Sequence, residues 1–185
     1  MFDVARFVSQ CEAAAATGKG RDIIRQIIAA TVADPSALVA TFGEPKRAGV
    51  DVLHRSPQLT ILHVAWPPSY TQTPHNHLIW AEIGVYSGRE DQILWQPSAR
   101  NAKWPIEVKA GISLSAGDCH SLDADAIHSV TNPLDRVSVG LHVYGGDLAF
   151  GPPRSYWDGE TLIEMPFNYE RDDRAAQAYN ASLGG

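Results

Sequence analysis

Cysteine is scarce, long apolar runs are absent, and neither sign of charge is concentrated anywhere in this 185-residue chain. The two cysteines, Cys11 and Cys119, lie far apart and form no C-x-x-C pair. That excludes a disulfide-stapled scaffold, and both read as free structural thiols in a reducing compartment. No window approaches the roughly 18 apolar residues that a membrane span needs. Met1 to Gly20 carries Asp3, Arg6 and Glu12 where a secretory signal would place an apolar core. A soluble, cytoplasmic protein with no membrane partner is therefore expected. The formal charge is −6 and the pI about 5.6, without the basic patch that nucleic acid requires. The expected partner is a small molecule, and the sequence leaves the oligomeric state open.

What is present reads as one domain in three segments. Residues 1–49 carry helical stripes: DVARFVSQCEAAAA, then Ile23, Ile24, Ile27, Ile28 and Val32, with Gly18 and Gly20 between the two segments. Asp34 and Pro35 look like the cap and first residue of a third helix, PSALVATF, that stops at Gly43. Residues 50–147 change to short runs rich in Val, Ile, Leu, Trp and Tyr, broken by SP, PP, SG, QP, AG and NP pairs. That texture predicts an all-β sandwich or barrel, with HNHLIW as one of its strands. Residues 148–185 lack periodicity and read as a loop packed over the barrel, then a helix from about Asp172.

Residues two apart on a strand point the same way, so His75 and His77 can present both imidazoles to one ion. Alone, such a pair is as compatible with surface histidines. Near the C-terminal end of the β region, Val137, Val139, Leu141 and Val143 alternate with Ser138, Gly140, His142 and Tyr144. The polar set faces either solvent or a functional barrel interior.

Two longer patterns carry more weight. His75, His77 and Glu82 meet the pattern G-x5-H-x-H-x3,4-E-x6-G, with Ser69 at its first glycine and Gly88 one residue early at its last. Gly117, His128 and Asn132 meet G-x5-P-x-G-x2-H-x3-N, with Asp123 and Asp125 at its proline and inner glycine. On these two halves, in this order, the chain resembles the cupin superfamily. The resemblance implies an all-β cupin double-stranded β-helix, a jelly-roll-like barrel, with the N-terminal helices packed outside. It also implies metal ligands at His75, His77 and His128. Glu82 turned inward would be a fourth ligand; turned outward it is an ordinary strand carboxylate, the orientation that the early Gly88 favours.

From about Arg55 to Asp147 the chain is similar to the cysteine dioxygenase family of thiol dioxygenases. GLHVYG places His142 and Tyr144 at the spacing of that family's S-x-H-x-Y stretch, with Gly140 where the serine would be. Arg55 in VLHRSP resembles the arginine that pairs with the substrate carboxylate, and Trp66 lies in the matching next strand. The cysteine that some members crosslink to the tyrosine has no counterpart. This resemblance implies iron(II), or another divalent first-row metal, as cofactor. Its partners would be O2 and a small thiol carboxylate of the cysteine or 3-mercaptopropionate type, oxidised to a sulfinate. His142 and Tyr144 would be catalytic, with Arg55 and Trp66 binding substrate. A carbon-bond-cleaving dioxygenase, an isomerase or a non-catalytic small-molecule binder fits the same scaffold. His54 and His63 read as structural or surface groups, His120, just before the second motif, as lying outside the pocket, and Trp80, Trp95, Trp104 and Trp157 as core or lid packing.

Overall fold

A computed structural model describes residues 1–98, 105–167 and 170–183. Trp104 lies outside them. Three helices lead the chain: α1 (Val4–Ala15), α2 (Gly20–Val32) and α3 (Pro35–Phe42). The side chain of Asp3 caps α1 by accepting from the Arg6 N–H, and that of Asp34 caps α3 by accepting from the Ala37 N–H. Pro35 opens α3, where its missing N–H costs nothing. On α2, Ile24, Ile28 and Val32 form a fully buried stripe. Each contributes on the order of 1.5–3 kcal/mol by leaving water.

Among the described residues eleven strands follow: β1 (Gly49–Arg55), β2 (Thr60–Trp66), β3 (Tyr70–Asn76), β4 (Ala81–Ser87), β5 (Arg89–Pro97), β6 (Ile106–Ser115), β7 (Cys119–Leu122), β8 (Ile127–Asn132), β9 (Ser138–Tyr144), β10 (Ser155–Trp157) and β11 (Glu164–Pro166), then α4 (Glu170–Ser182). They form two antiparallel sheets, ordered β1-β2-β9-β4-β7 and β11-β10-β3-β8-β5-β6. Within them, β2-β9-β4-β7 faces β3-β8-β5-β6, the strand order of an eight-stranded jelly roll. The double-stranded β-helix expected from the sequence is the fold found.

Two cores flank the first sheet. Ile24, Ile28 and Val32 pack with Val139, Leu141 and Val143 beneath the helices. Leu62, Val64, Ile83, Val85, Val130 and Tyr144 pack between the sheets. Strand β9 is buried along its whole length. Its polar alternates therefore face the interior of the barrel, and its aliphatic ones face the helices. Helix α2 sits close on β4 because Gly84 has no side chain: a Cβ there would come 2.5 Å from Ile28 Cγ2 and 2.8 Å from Val32 Cγ1.

The structure differs from the sequence expectation in two places. The strand expected at HNHLIW begins earlier, at Tyr70, and ends at Asn76, so His77 follows the strand. TQTP hides it, because it is polar and Pro74 lacks the N–H of a regular ladder; the register with β8 shifts between Gln72 and His75. The tail expected to be loop adds β10 and β11 to the second sheet. Strands of three residues are too short to show alternation. Among the described residues no single helix is long and apolar enough to cross a membrane.

Gly84→Val should force α2 off the sheet at a cost of roughly 1–3 kcal/mol. A drop in Tm of about 2–4 °C for each kcal/mol is then expected. Gly111→Val, on β6 with nothing within 4 Å of its Cβ position, should leave Tm within about a degree by the same scaling. Equal thermal melts for the two variants would refute the packing account.

Candidate metal centre

Strands β3 and β8 pair so that His75 lies directly opposite His128. His77 follows β3, and next comes Leu78 at φ 57°, the left-handed region that non-glycine residues enter at a cost of about 1–2 kcal/mol. The His77 ring packs 5.0 Å from that of His75 and 4.9 Å from that of His128, between centroids. One ligand nitrogen from each of the three lies within 4.8 Å of the others. All three histidines are buried.

The supporting hydrogen bonds say which nitrogens are available. His75 Nδ1 stands 3.0 Å from the Thr73 carbonyl, an obligate acceptor, so Nδ1 carries the proton. His128 Nδ1 stands 2.8 Å from Gln92 Oε1 and carries a proton for the same reason. In the neutral rings, Nε2 of His75 and of His128 are therefore lone pairs. Each faces His77 Nε2, at 3.1 Å and 3.4 Å respectively. A proton on His77 Nε2 could serve one of them at a time, whereas a cation between the rings satisfies all three. Burial, and then the neighbouring imidazoles, hold His77 and His128 well below the usual imidazole range, so the rings stay neutral and able to ligate. The donor set fits a divalent first-row metal.

Glu82 is not part of this group. It projects from the helix side of β4, where Oε1 accepts from Arg21 Nε at 2.8 Å and Oε2 accepts from the Ser121 hydroxyl at 2.5 Å. Arg21 also bonds Asp123 and the Leu122 carbonyl, tying α2 to this sheet. The fourth-ligand orientation left open by the sequence is thus replaced by an outward ion pair. The backbone role of the first motif's leading glycine is met by Ser69, at φ 52°. Gly117 keeps its own, at φ 98°. Asn132 acts as a turn clamp, donating to the carbonyls of Trp66, Pro67 and Arg136.

The three histidines line a cavity of about 270 Å³ whose walls include Leu62, Val64, Val130 and Leu148. Tyr144 and His142 line it too. The Tyr144 ring meets that of His77 at 4.9 Å, edge to face, and its hydroxyl lies 3.2 Å from His142 Nδ1. Trp66 lines the cavity, stacks on Tyr70 at 5.6 Å and donates its indole N–H to Glu90 at 2.8 Å. Arg55 reaches the wall with its fork on Asp147, through Nε at 2.9 Å and Nη2 at 3.0 Å. Those bonds hold the Asp147 carboxyl down at about 2.

Four cavity or supporting residues escape the sequence reading. Arg154 and Phe167 line the cavity, the guanidinium 4.0 Å above the ring. Both come from the aperiodic tail. Glu90 and Gln92 lie buried on β5 behind His128. REDQILWQ gives no signal for them: four consecutive polar residues precede Ile93, Leu94 and Trp95, with no alternation to mark Glu90 and Gln92 as inward. His54, beside Glu12, and His63, between Asp51 and Tyr86, lie away from the cavity. His120 is not among its lining residues.

No protein-family model matches the chain. Among solved structures, similarity is found to an RmlC-like cupin family protein with a double-stranded β-helix fold from Methanocaldococcus jannaschii, 12% identical with a TM-score of 0.47, over 58% of this chain and 87% of that one. A DMSP lyase from Ruegeria pomeroyi is 18% identical with a TM-score of 0.47, over 62% of this chain and 53% of that one. A recombinant oxalate oxidase in complex with glycolate is 13% identical with a TM-score of 0.46, over 62% and 57%. The chain thus spans little more than half the length of these two enzymes.

Calorimetric titration of the chelator-treated protein with Zn²⁺ should give one equivalent per chain. His77→Ala and His128→Ala should each abolish it, while Glu82→Gln leaves it unchanged. Loss of binding in Glu82→Gln would put the carboxylate back among the ligands.

Proposed function

We propose that the protein is a mononuclear iron(II)-dependent thiol dioxygenase acting on a small thiol carboxylate. The observation that carries this reading is the placement of a buried three-histidine group and the His142–Tyr144 pair in one small, apolar-walled cavity. The reaction is R–SH + O2 → R–SO2H. Sulfur gives up four electrons, O2 takes them, and both oxygen atoms end on sulfur.

His75, His77 and His128 would hold the metal, which would supply a Lewis-acid centre that favours the thiolate form of a bound thiol. Three neutral imidazoles leave the full +2 charge at that centre, which favours an anionic sulfur. Tyr144 brings a phenol to the edge of His77, where it can give a proton to, or hold one near, a reacting atom. His142 fixes the direction of that hydroxyl through the 3.2 Å contact. Leu62, Val64 and Val130 exclude water, which strengthens each of these polar contacts. Two guanidinium groups on the wall, Arg55 and Arg154, suit a substrate carboxylate. Arg55 would exchange Asp147 for it, one carboxylate for another, and Trp66 supplies an aromatic wall.

Anaerobic loading with iron(II), then O2-uptake assays against a panel of thiol carboxylates, tests the proposal. One O2 consumed per sulfinate formed is expected. Tyr144→Phe should retain metal and lose on the order of 10²-fold in kcat. Metal binding without O2 uptake from any thiol would overturn the assignment. Turnover of a diketone or sugar would then favour another metal-dependent enzyme, and no turnover a small-molecule binder.

A further inference from the structure

Behind the histidines lies a buried carboxylate that the reaction above does not use. Glu90 is 1% exposed and Gln92 1%. Glu90 Oε1 accepts from Gln92 Nε2 at 2.7 Å, and Glu90 Oε2 accepts from the Trp66 indole at 2.8 Å. Its Oε2 also stands 3.4 Å from His142 Nε2. Gln92 Oε1, in turn, accepts from His128 Nδ1 at 2.8 Å. The Trp66 indole, an obligate donor, is aimed at one oxygen of this carboxylate and the Gln92 amide at the other, the surroundings of an ionised acceptor.

An ionised carboxylate accepts and cannot donate. It therefore forces Gln92 to turn its NH2 toward Glu90 and its carbonyl toward His128. That carbonyl requires the His128 proton on Nδ1, which leaves the Nε2 lone pair facing His75 and His77. On the other branch, the carboxylate favours a proton on His142 Nε2, which leaves Nδ1 to accept from the Tyr144 hydroxyl. Gly140 keeps the space beside His142 Nε2 open: a Cβ there would stand 3.3 Å from that atom.

We infer that Glu90 is a positioning residue that sets the proton register of both branches, so that metal affinity at His128 and the direction of the Tyr144 hydroxyl are governed by a carboxylate that touches neither. The inference rests on the metal-binding part of the function proposed above and is independent of the substrate.

Glu90→Gln is the informative variant. The indole N–H of Trp66 requires an oxygen on its side, so the new amide would point its NH2 at Gln92. Gln92 must then flip and offer NH2 to His128 Nδ1, which drives the His128 proton to Nε2, the ligand position. The Kd for Zn²⁺ should rise about 10- to 100-fold, the usual cost of losing an outer partner of a ligating histidine. Glu90→Gln combined with Gln92→Glu reverses the bond between the two side chains but again offers an oxygen to the Trp66 indole at one end and to His128 Nδ1 at the other. It should return the Kd to within about threefold of the original, well inside that range. A merely space-filling role predicts no such rescue. Nitrogen NMR of the metal-free wild-type protein should show His128 protonated at Nδ1 and His142 at Nε2 alone, and this readout decides the matter if the single variant fails to fold. An unchanged Kd in Glu90→Gln, a double variant as weak as the single, or a proton on His142 Nδ1 in the wild type would overturn the inference while leaving the metal site standing. Failure of the wild-type chain to bind Zn²⁺ would overturn both.

Discussion

Imidazole nitrogens that aim their lone pairs at one another inside apolar walls repel, and here the arrangement is held from behind. The Thr73 carbonyl takes the Nδ1 proton of His75, and Gln92 takes that of His128. Both rings are left with acceptors converging on His77, in a space where burial disfavours protonation. A cation at that point would remove the repulsion and replace it with coordination. The surrounding strands can be understood as the frame that makes these backside bonds possible.

The frame works because the first sheet is covered on both faces. Helices α1–α3 take the aliphatic side of β9, which frees its other side to carry His142 and Tyr144 into the barrel without exposing them. The opposite sheet supplies His75 and His128 as cross-strand partners, with Gln92 one strand further along. Glu90 and His142 then meet between the sheets. Outside, the Arg21–Glu82 pair fastens α2 to β4 and keeps the motif's carboxylate away from the histidines. The cavity consequently pairs three neutral imidazoles with a phenol, and its charged groups sit at the wall.

Much of this was open to sequence reasoning, for identifiable reasons. The meeting of His75, His77 and His128 is legible because the spacing of two motifs reports contacts between distant strands, and the jelly roll follows from the same pair of motifs and the β-rich texture between them. The inward turn of His142 and Tyr144 is legible only as one of two options, since alternation on a strand does not say which face is wet; the helices over β9 decide it. Glu90 and Gln92 are invisible because a buried acid on a strand has the same periodicity as an exposed one, and only three-dimensional pairing with Trp66, His142 and His128 distinguishes them. Arg154 and Phe167 come from a tail with no period at all. The start of β3 is concealed by Thr73 and Pro74, whose irregular ladder is also what places the Thr73 carbonyl against His75.

The central claim is that three Nε2 atoms share one cation. Anomalous diffraction at the metal edge, on crystals of the protein loaded with zinc or iron(II), tests it most directly. The account predicts a single peak per chain, about 2.0–2.2 Å from Nε2 of His75, His77 and His128, with Glu82 still on Arg21. A peak held through Nδ1, a peak elsewhere in the molecule, or no peak between these rings would contradict it.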